Sequence, residues 1–282
     1  MQFVDDNLAG TETTGSENPA LTGFIDIHCH CLPGVDDGPG TISEALELCR
    51  ALVDDGMSVV IATPHQLGRF GKFNKAPHIR QAVFGLNEEL KDSNIPLTVM
   101  CGADIRVDER ICQLLKTDEI LTLADGGKYV LLELPGEVFI DIEPMLIELA
   151  GMGIQVVLSH PERHFVLAKH PNVLLKWRRY SAHLQLTAGS LLGEFGMLAQ
   201  ATAWRFLNLG LASLIATDAH NLNTRRPCMK AAFERIARKL GKDIARLVCI
   251  ENPQNILEGR DLRNVSHYTG QEPSYVELPN RL

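Results

Sequence analysis

The 282-residue sequence has no run approaching the roughly 18 consecutive apolar residues of a membrane span, so membrane insertion is not expected. It has no excess of positive charge: 27 Lys and Arg stand against 35 Asp and Glu, a net of −8. Binding a nucleic-acid backbone needs a basic face, so nucleic acid is not an expected partner. A phosphorylated substrate stays open, because bound metal ions can supply a positive field locally. Cysteine is sparse and unpatterned, at 29, 31, 49, 101, 112, 228 and 249, with no C-x-x-C. An odd, scattered set excludes a disulfide framework and points to a reducing cytoplasm. No cysteine has arginine at the sixth position after it (Cys101 and Arg106 are one residue short), which excludes a C-x5-R phosphate loop. The first 22 residues are polar and acidic and lack the basic start and apolar centre of a signal peptide.

Apolar material is plentiful, at 45% of residues with 22% charged, as in a soluble globular chain. Short β-branched runs at 24–27, 58–62, 97–101, 129–132, 155–158, 183–186 and 212–216 read as strands. Helical periodicity fills the gaps at 42–55, 78–91, 107–116, 140–151, 171–179, 196–209, 228–240 and 243–249, with a last short helix from Asn252-Pro253. In the first of these, Ile42, Ala45, Leu46, Cys49, Leu52 and Val53 share one face, after Thr41 as a cap. Repeated strand–helix alternation predicts an α/β fold with a mainly parallel sheet. Periodicity leaves a closed barrel and an open sheet equally open. We expect one domain over 23–264, a disordered arm at 1–22 and a polar tail at 265–282.

Ligand-type residues sit at the C-terminal end of almost every strand: His28 and His30, Asp36 and Asp37 in the next loop, His65, Asp104, Glu133, His160, then Asp218 and His220. In parallel α/β barrels these ends face the active site. H-x-H on an extended segment puts both imidazoles on one side, and Asp218-x-His220 repeats that geometry. A single histidine at a strand end is more often a satisfied polar residue than a ligand. Here five of ten histidines converge with four carboxylates, and burying so many ionisable groups without metal would cost several kcal/mol each. Mixed imidazole and carboxylate donors suit Mn, Fe or Zn, and nine of them suit two or three ions. His164 is left unassigned, and His78, His170, His183 and His267 are given no role.

The segments F-I-D-I-H-C-H-C-L-P-G-V-D-D-G-P, A-T-P-H, G-A-D-I-R, L-L-E-L, L-S-H-P-E-R and A-T-D-A-H-N occur in that order. Together they resemble the polymerase and histidinol phosphatase (PHP) superfamily, and within it the capsule and exopolysaccharide tyrosine phosphatases of the CpsB/YwqE type. The resemblance implies a distorted (β/α)7 TIM-like barrel. It also implies manganese-dependent hydrolysis of phosphotyrosine on a bacterial tyrosine autokinase that controls polysaccharide length. Carried over by position, His28, His30 and Asp218 would hold one metal; Asp37, His65 and His220 a second; Glu133 and His160 a third. Asp104 stands where the family has a bridging glutamate. Arg163, Arg225 and Arg226 match the family's arginines and, with Asp37, are the catalytic candidates; all three arginines would clamp phosphate. Asp36, Asp37 or a water could serve as the acid. Family members often assemble into homo-oligomers, of which the sequence carries no independent sign. The alternatives are a small phosphate ester of the histidinol phosphate type as substrate, an amide- or ester-cleaving metal hydrolase, or a metal-binding regulatory homologue with little turnover.

Overall fold

The computed structural model describes residues 23–70, 74–136 and 138–265. The expected arm at 1–22, and the expected tail apart from Val265, lie outside them. Val265 itself is fully buried in the main core, so the packed unit runs one residue past the expected boundary.

The strands are β1 (Phe24–Cys29), β2 (Met57–Ala62), β3 (His65–Gln66), β4 (Thr98–Cys101), β5 (Asp104–Arg106), β6 (Tyr129–Glu133), β7 (Gln155–Ser159), β8 (Ala182–Thr187) and β9 (Ala212–Ala216). Every pairing among them is parallel. They form two sheets, ordered β1-β2-β4 and β3-β5-β6-β7-β8-β9. The α-helices are α1 (Ile42–Asp54), α2 (Ala76–Asp92), α3 (Ile111–Lys116), α4 (Glu143–Gly151), α5 (Phe165–Lys169), α6 (Asn172–Arg178), α7 (Ala188–Leu192), α8 (Gly196–Asn208), α9 (Met229–Leu240), α10 (Lys242–Arg246) and α11 (Asn252–Leu257).

All seven expected strands are present. The sequence pattern misses β3 and β5, which are too short to show a period. Both continue a longer strand after a two-residue break. Ala62 pairs with Cys101 in the first sheet, and His65 pairs with Asp104 in the second. The breaks fall at Thr63-Pro64 and Gly102-Ala103. Proline cannot donate to a ladder, and a Cβ on Gly102 would stand 2.5 Å from the Ile61 side chain. The second join is a parallel bridge between Cys29 and Ala219, where the His30 amide donates to Ala219 and the Asp218 amide to His28.

Two apolar cores result. The larger packs the helices on the sheets; α1 contributes Ala45, Leu48, Cys49 and Leu52 and is started by a Thr41–Glu44 capping box. Ile42, expected on that face, is 40% exposed. The smaller lies between the sheets, with Ile25 and Ile27 of β1, Val59 and Ile61 of β2, Leu131 of β6, Val157 of β7 and Leu214 of β9. A register shift in β1 between Asp26 and Cys29 sets three residues of β1 against two of β2. This bulge lets Ile27 join the inner core while the next residue, His28, joins the polar cluster beyond it.

Candidate metal centre

Past the inner core the same strand faces turn polar. Four groups of imidazole and carboxylate side chains bring ligand atoms within 4.8 Å of one another: His30, Asp37, His65 and His220; His28, His30 and Asp104; His28, His160 and Asp218; His65, Asp104 and Glu133. All nine sequence-predicted ligands fall within these groups. The partition differs in two respects. His30, expected with His28 and Asp218, groups with Asp37, His65 and His220 and again with His28 and Asp104. His160, expected beside Glu133, stands 4.0 Å from it and groups with His28 and Asp218, while Glu133 groups with His65 and Asp104.

The imidazoles are held from behind. His28 Nδ1 lies 2.9 Å from Gln185 Oε1, and His30 Nδ1 lies 2.6 Å from Asp36. An acceptor on Nδ1 fixes the proton there and leaves Nε2 as the donor to a metal. The two Nε2 atoms stand 3.2 Å apart, and His28 Nε2 is 3.3 Å from Asp218 and 3.6 Å from Asp104. Burial lowers His28 to about 3 and His30 to about 4, so both are neutral donors at neutral pH. Burial works against charge on Asp36, but His30 and the amides of Gly38 and His65 outweigh it and bring Asp36 down to about 2. Asp36 is thus a support for His30. Gly38 is required beside it, since a Cβ there would meet the His30 carbonyl at 2.4 Å.

The carboxylates divide into two kinds. Asp37 is held far below its usual range by contacts to His220 and His65, each 3.4 Å from its Oδ1, so it is poorly suited to donate a proton. Asp218 is also held low: burial opposes its charge, but His28, Arg163 and Arg225 outweigh it. Arg163 Nη2 donates to one Asp218 oxygen at 2.5 Å and Arg225 Nη2 to the other at 2.6 Å. Asp104 has no such help. It is fully buried, neither oxygen has a hydrogen-bond partner, and the nearest imidazoles, His28 and His65, stand at 3.6 Å. Burial, then the charge of Glu133, hold it well above its usual range. A buried, unpartnered carboxylate is costly unless a cation takes it. With five imidazoles beside it, the donor set fits divalent transition-metal ions.

Backbone strain marks two of these positions. His160 has φ 38° and Asp218 φ 54°, left-handed values that non-glycine residues rarely adopt. Beneath Asp218, buried Asp26 accepts from the Thr217 amide at 3.0 Å and from the Thr217 hydroxyl, and so ties β1 to the end of β9.

A cavity of about 500 Å³ opens over the cluster, lined by Asp37, His65, Glu133 and His160 together with Arg163 and Arg225. The Nε atoms of both arginines are enclosed and have no partner among the described residues. Arg226 is not brought in: it is 63% exposed and turned toward Glu194, 3.5 Å away. His164 proves structural, capping α5 by accepting from the Leu167 amide. Sequence reasoning missed Gln185 and Arg106. Gln185 was visible as a lone polar residue within the apolar strand L-Q-L. Arg106, 3.0 Å from Glu133, lies two residues after Asp104 on the same strand face.

Fold and centre together define a parallel α/β protein that gathers nine imidazole and carboxylate side chains able to hold metal ions beneath an arginine-lined cavity. Residues 24–258 match the capsular polysaccharide synthesis family CpsB/CapC, and the chain belongs to that family. It is 34% identical over 240 residues to the tyrosine-protein phosphatase YwqE of Bacillus subtilis, covering 85% of this chain and 93% of that protein. It is 28% identical over 242 residues to the tyrosine-protein phosphatase CpsB of Streptococcus agalactiae, covering 83% and 98%. A crystal structure from the description of YwqE of Bacillus subtilis and CpsB of Streptococcus pneumoniae as metal-dependent tyrosine phosphatases superimposes with TM-score 0.83 and 32% identity, over 89% of this chain and all of the other.

Proposed function

We propose that this chain is a metal-dependent protein-tyrosine phosphatase of capsule or exopolysaccharide synthesis, acting on phosphotyrosine of a bacterial tyrosine autokinase. The observation that carries this reading is the placement of Arg163 and Arg225 on the cavity directly above the imidazole–carboxylate cluster. His30, Asp37, His65 and His220 would hold one divalent ion, His28, His160 and Asp218 a second, and Asp104 with Glu133 would help hold a third. Manganese is the proposed metal, with iron or zinc as substitutes. When bound, such ions supply Lewis acidity to phosphoryl oxygens and to an attacking water.

The chain's own residues do the remaining work. Gln185 and Asp36 keep His28 and His30 in the donor tautomer. Arg163 and Arg225 spend one terminal nitrogen each on Asp218 and, from the cavity wall, would offer the other terminal nitrogen to a phosphate, with charge-assisted bonds that strengthen as charge builds on its oxygens. The ring of Phe195, 4.6 Å from the Arg163 guanidinium, fixes that arginine's direction. Asp37, already a carboxylate, acts as a ligand and not as the acid. The seven free thiols fit a cytoplasmic enzyme, and no helix among the described residues is long and apolar enough to cross a membrane. We also read the two sheets as one distorted (β/α)7 barrel, joined at the β2–β3 and β4–β5 breaks and at the Cys29–Ala219 bridge.

The test is hydrolysis of a phosphotyrosine peptide with added Mn²⁺, set beside histidinol phosphate and an amide panel. Phosphotyrosine turnover that a chelator abolishes is expected. Preference for histidinol phosphate, or no turnover with metal bound, would overturn the reading.

A further inference from the structure

One side of the cavity is apolar, and phosphate recognition has no use for it. It is built by residues 67–70, which follow β3. Leu67 and Gly68 have φ of 65° and 58°, and two left-handed residues in succession turn the chain back sharply. The turn is seated on the stem of Arg106: a Cβ on Gly68 would lie 3.4 Å from Arg106 Cγ. It delivers Phe70 onto the His65 ring, with centroids 5.5 Å apart and planes within 9°. Leu67, Phe70 and Arg106 all line the cavity that holds Arg163 and Arg225. The guanidinium of Arg69 covers the Phe70 ring at 4.6 Å and reaches Asp37 at 3.6 Å, yet its side chain is 73% exposed and so can be displaced.

A phosphoryl group is polar on every side, so it needs charge and hydrogen-bond donors. An aryl ester brings a flat ring one bond from the bridging oxygen, and that ring needs an apolar or aromatic partner at the cavity wall. A small alkyl ester has nothing to fill the same space. We propose that Phe70, backed by Leu67 and the Arg106 stem, receives the aromatic ring of the substrate and determines the selection of aryl over alkyl phosphate monoesters. The proposal rests on the phosphatase reading above and assigns its specificity to a particular wall. Displaced from Phe70, Arg69 can close over the incoming ring as a second, cationic partner.

The test uses the full chain loaded with Mn²⁺, as wild type, Phe70→Leu and Phe70→Tyr. The measurements are inhibition constants for phenylphosphonate, methylphosphonate and inorganic phosphate, the KM and kcat for phenyl phosphate, and metal content. In Phe70→Leu the preference for phenylphosphonate over methylphosphonate should fall about three- to tenfold, with a matching rise in KM. Phe70→Tyr should keep the preference, and inorganic phosphate inhibition and metal content should hold in both variants. An unchanged preference in Phe70→Leu overturns the assignment. So does a parallel loss of phosphate inhibition and metal, which would make Phe70 a prop for His65 alone. Either result leaves the phosphatase reading standing. A metal-loaded wild type that hydrolyses no phosphate ester overturns both.

Discussion

The space between the two sheets has two halves that obey contrary rules. In the lower half Ile25, Ile27, Ile61, Leu131 and Leu214 are at most 1% exposed. In the upper half His28, Asp104 and Asp218 are just as buried, at 0–1%. Burial is equal, but its sign is not. Apolar area removed from water stabilises by about 25 cal/mol per Å². A buried ionisable group costs free energy until a partner takes it. The lower half therefore holds the fold together, and the upper half is a debt that bound cations settle. The boundary is one residue wide in β1, where the bulge separates Ile27 from His28.

Substitutions on either side of that boundary break the comparison cleanly. His28→Ala should remove phosphatase turnover by at least about a hundredfold and lower metal content, because a ligand and its Gln185 support are lost together. Unfolding of the metal-free protein should change less than in Ile27→Ala, because the bond lost to Gln185 is offset by removing a buried imidazole that has no metal to take it. Metal analysis, kinetics and thermal unfolding check all three parts. One residue earlier, Ile27→Ala should cost about 2–5 kcal/mol of stability through the cavity it leaves. Its metal content and its turnover per folded molecule should stay near wild type, as denaturant titration alongside kinetics would show.

The arginines sharpen the upper half. Arg163→Ala and Arg225→Ala should each lower kcat/KM by about ten- to hundredfold, the worth of one charge-assisted contact. Arg226→Ala should stay within about twofold, because that side chain faces Glu194 outside the cavity. Equal losses in all three variants would return Arg226 to the clamp that the sequence motif assigns it.

The strands and most helices were legible because their apolar periods are long enough to count. Five histidines at strand ends made the site legible too, since imidazoles at that spacing are expensive to bury for any purpose but metal binding. Periodicity cannot see two-residue strands, so β3 and β5 were missed, along with the exchange of strands between sheets. Nor does sequence show how strand ends rotate about one another, so it does not show that His160, 4.0 Å from Glu133, also stands with His28 and Asp218. Arg225 and Arg226 are adjacent in the chain, and only the loop's path shows that one faces the cavity and the other does not. The Phe70 wall depends on two left-handed residues that no composition rule flags.

Asp104 offers the most direct test, because it is where the debt of the upper half is least offset. Asparagine has the same shape without the charge, so Asp104→Asn separates the needs of the fold from those of the metal. Thermal unfolding of wild type and Asp104→Asn should be compared in chelator and in Mn²⁺. In chelator the variant should melt higher by a few degrees, about 2–4 °C for each kcal/mol relieved. In Mn²⁺ the order should reverse, because wild type binds the ion more tightly and is stabilised by it. Wild type melting higher in both conditions, or an order indifferent to metal, would contradict a metal centre built at the expense of the fold.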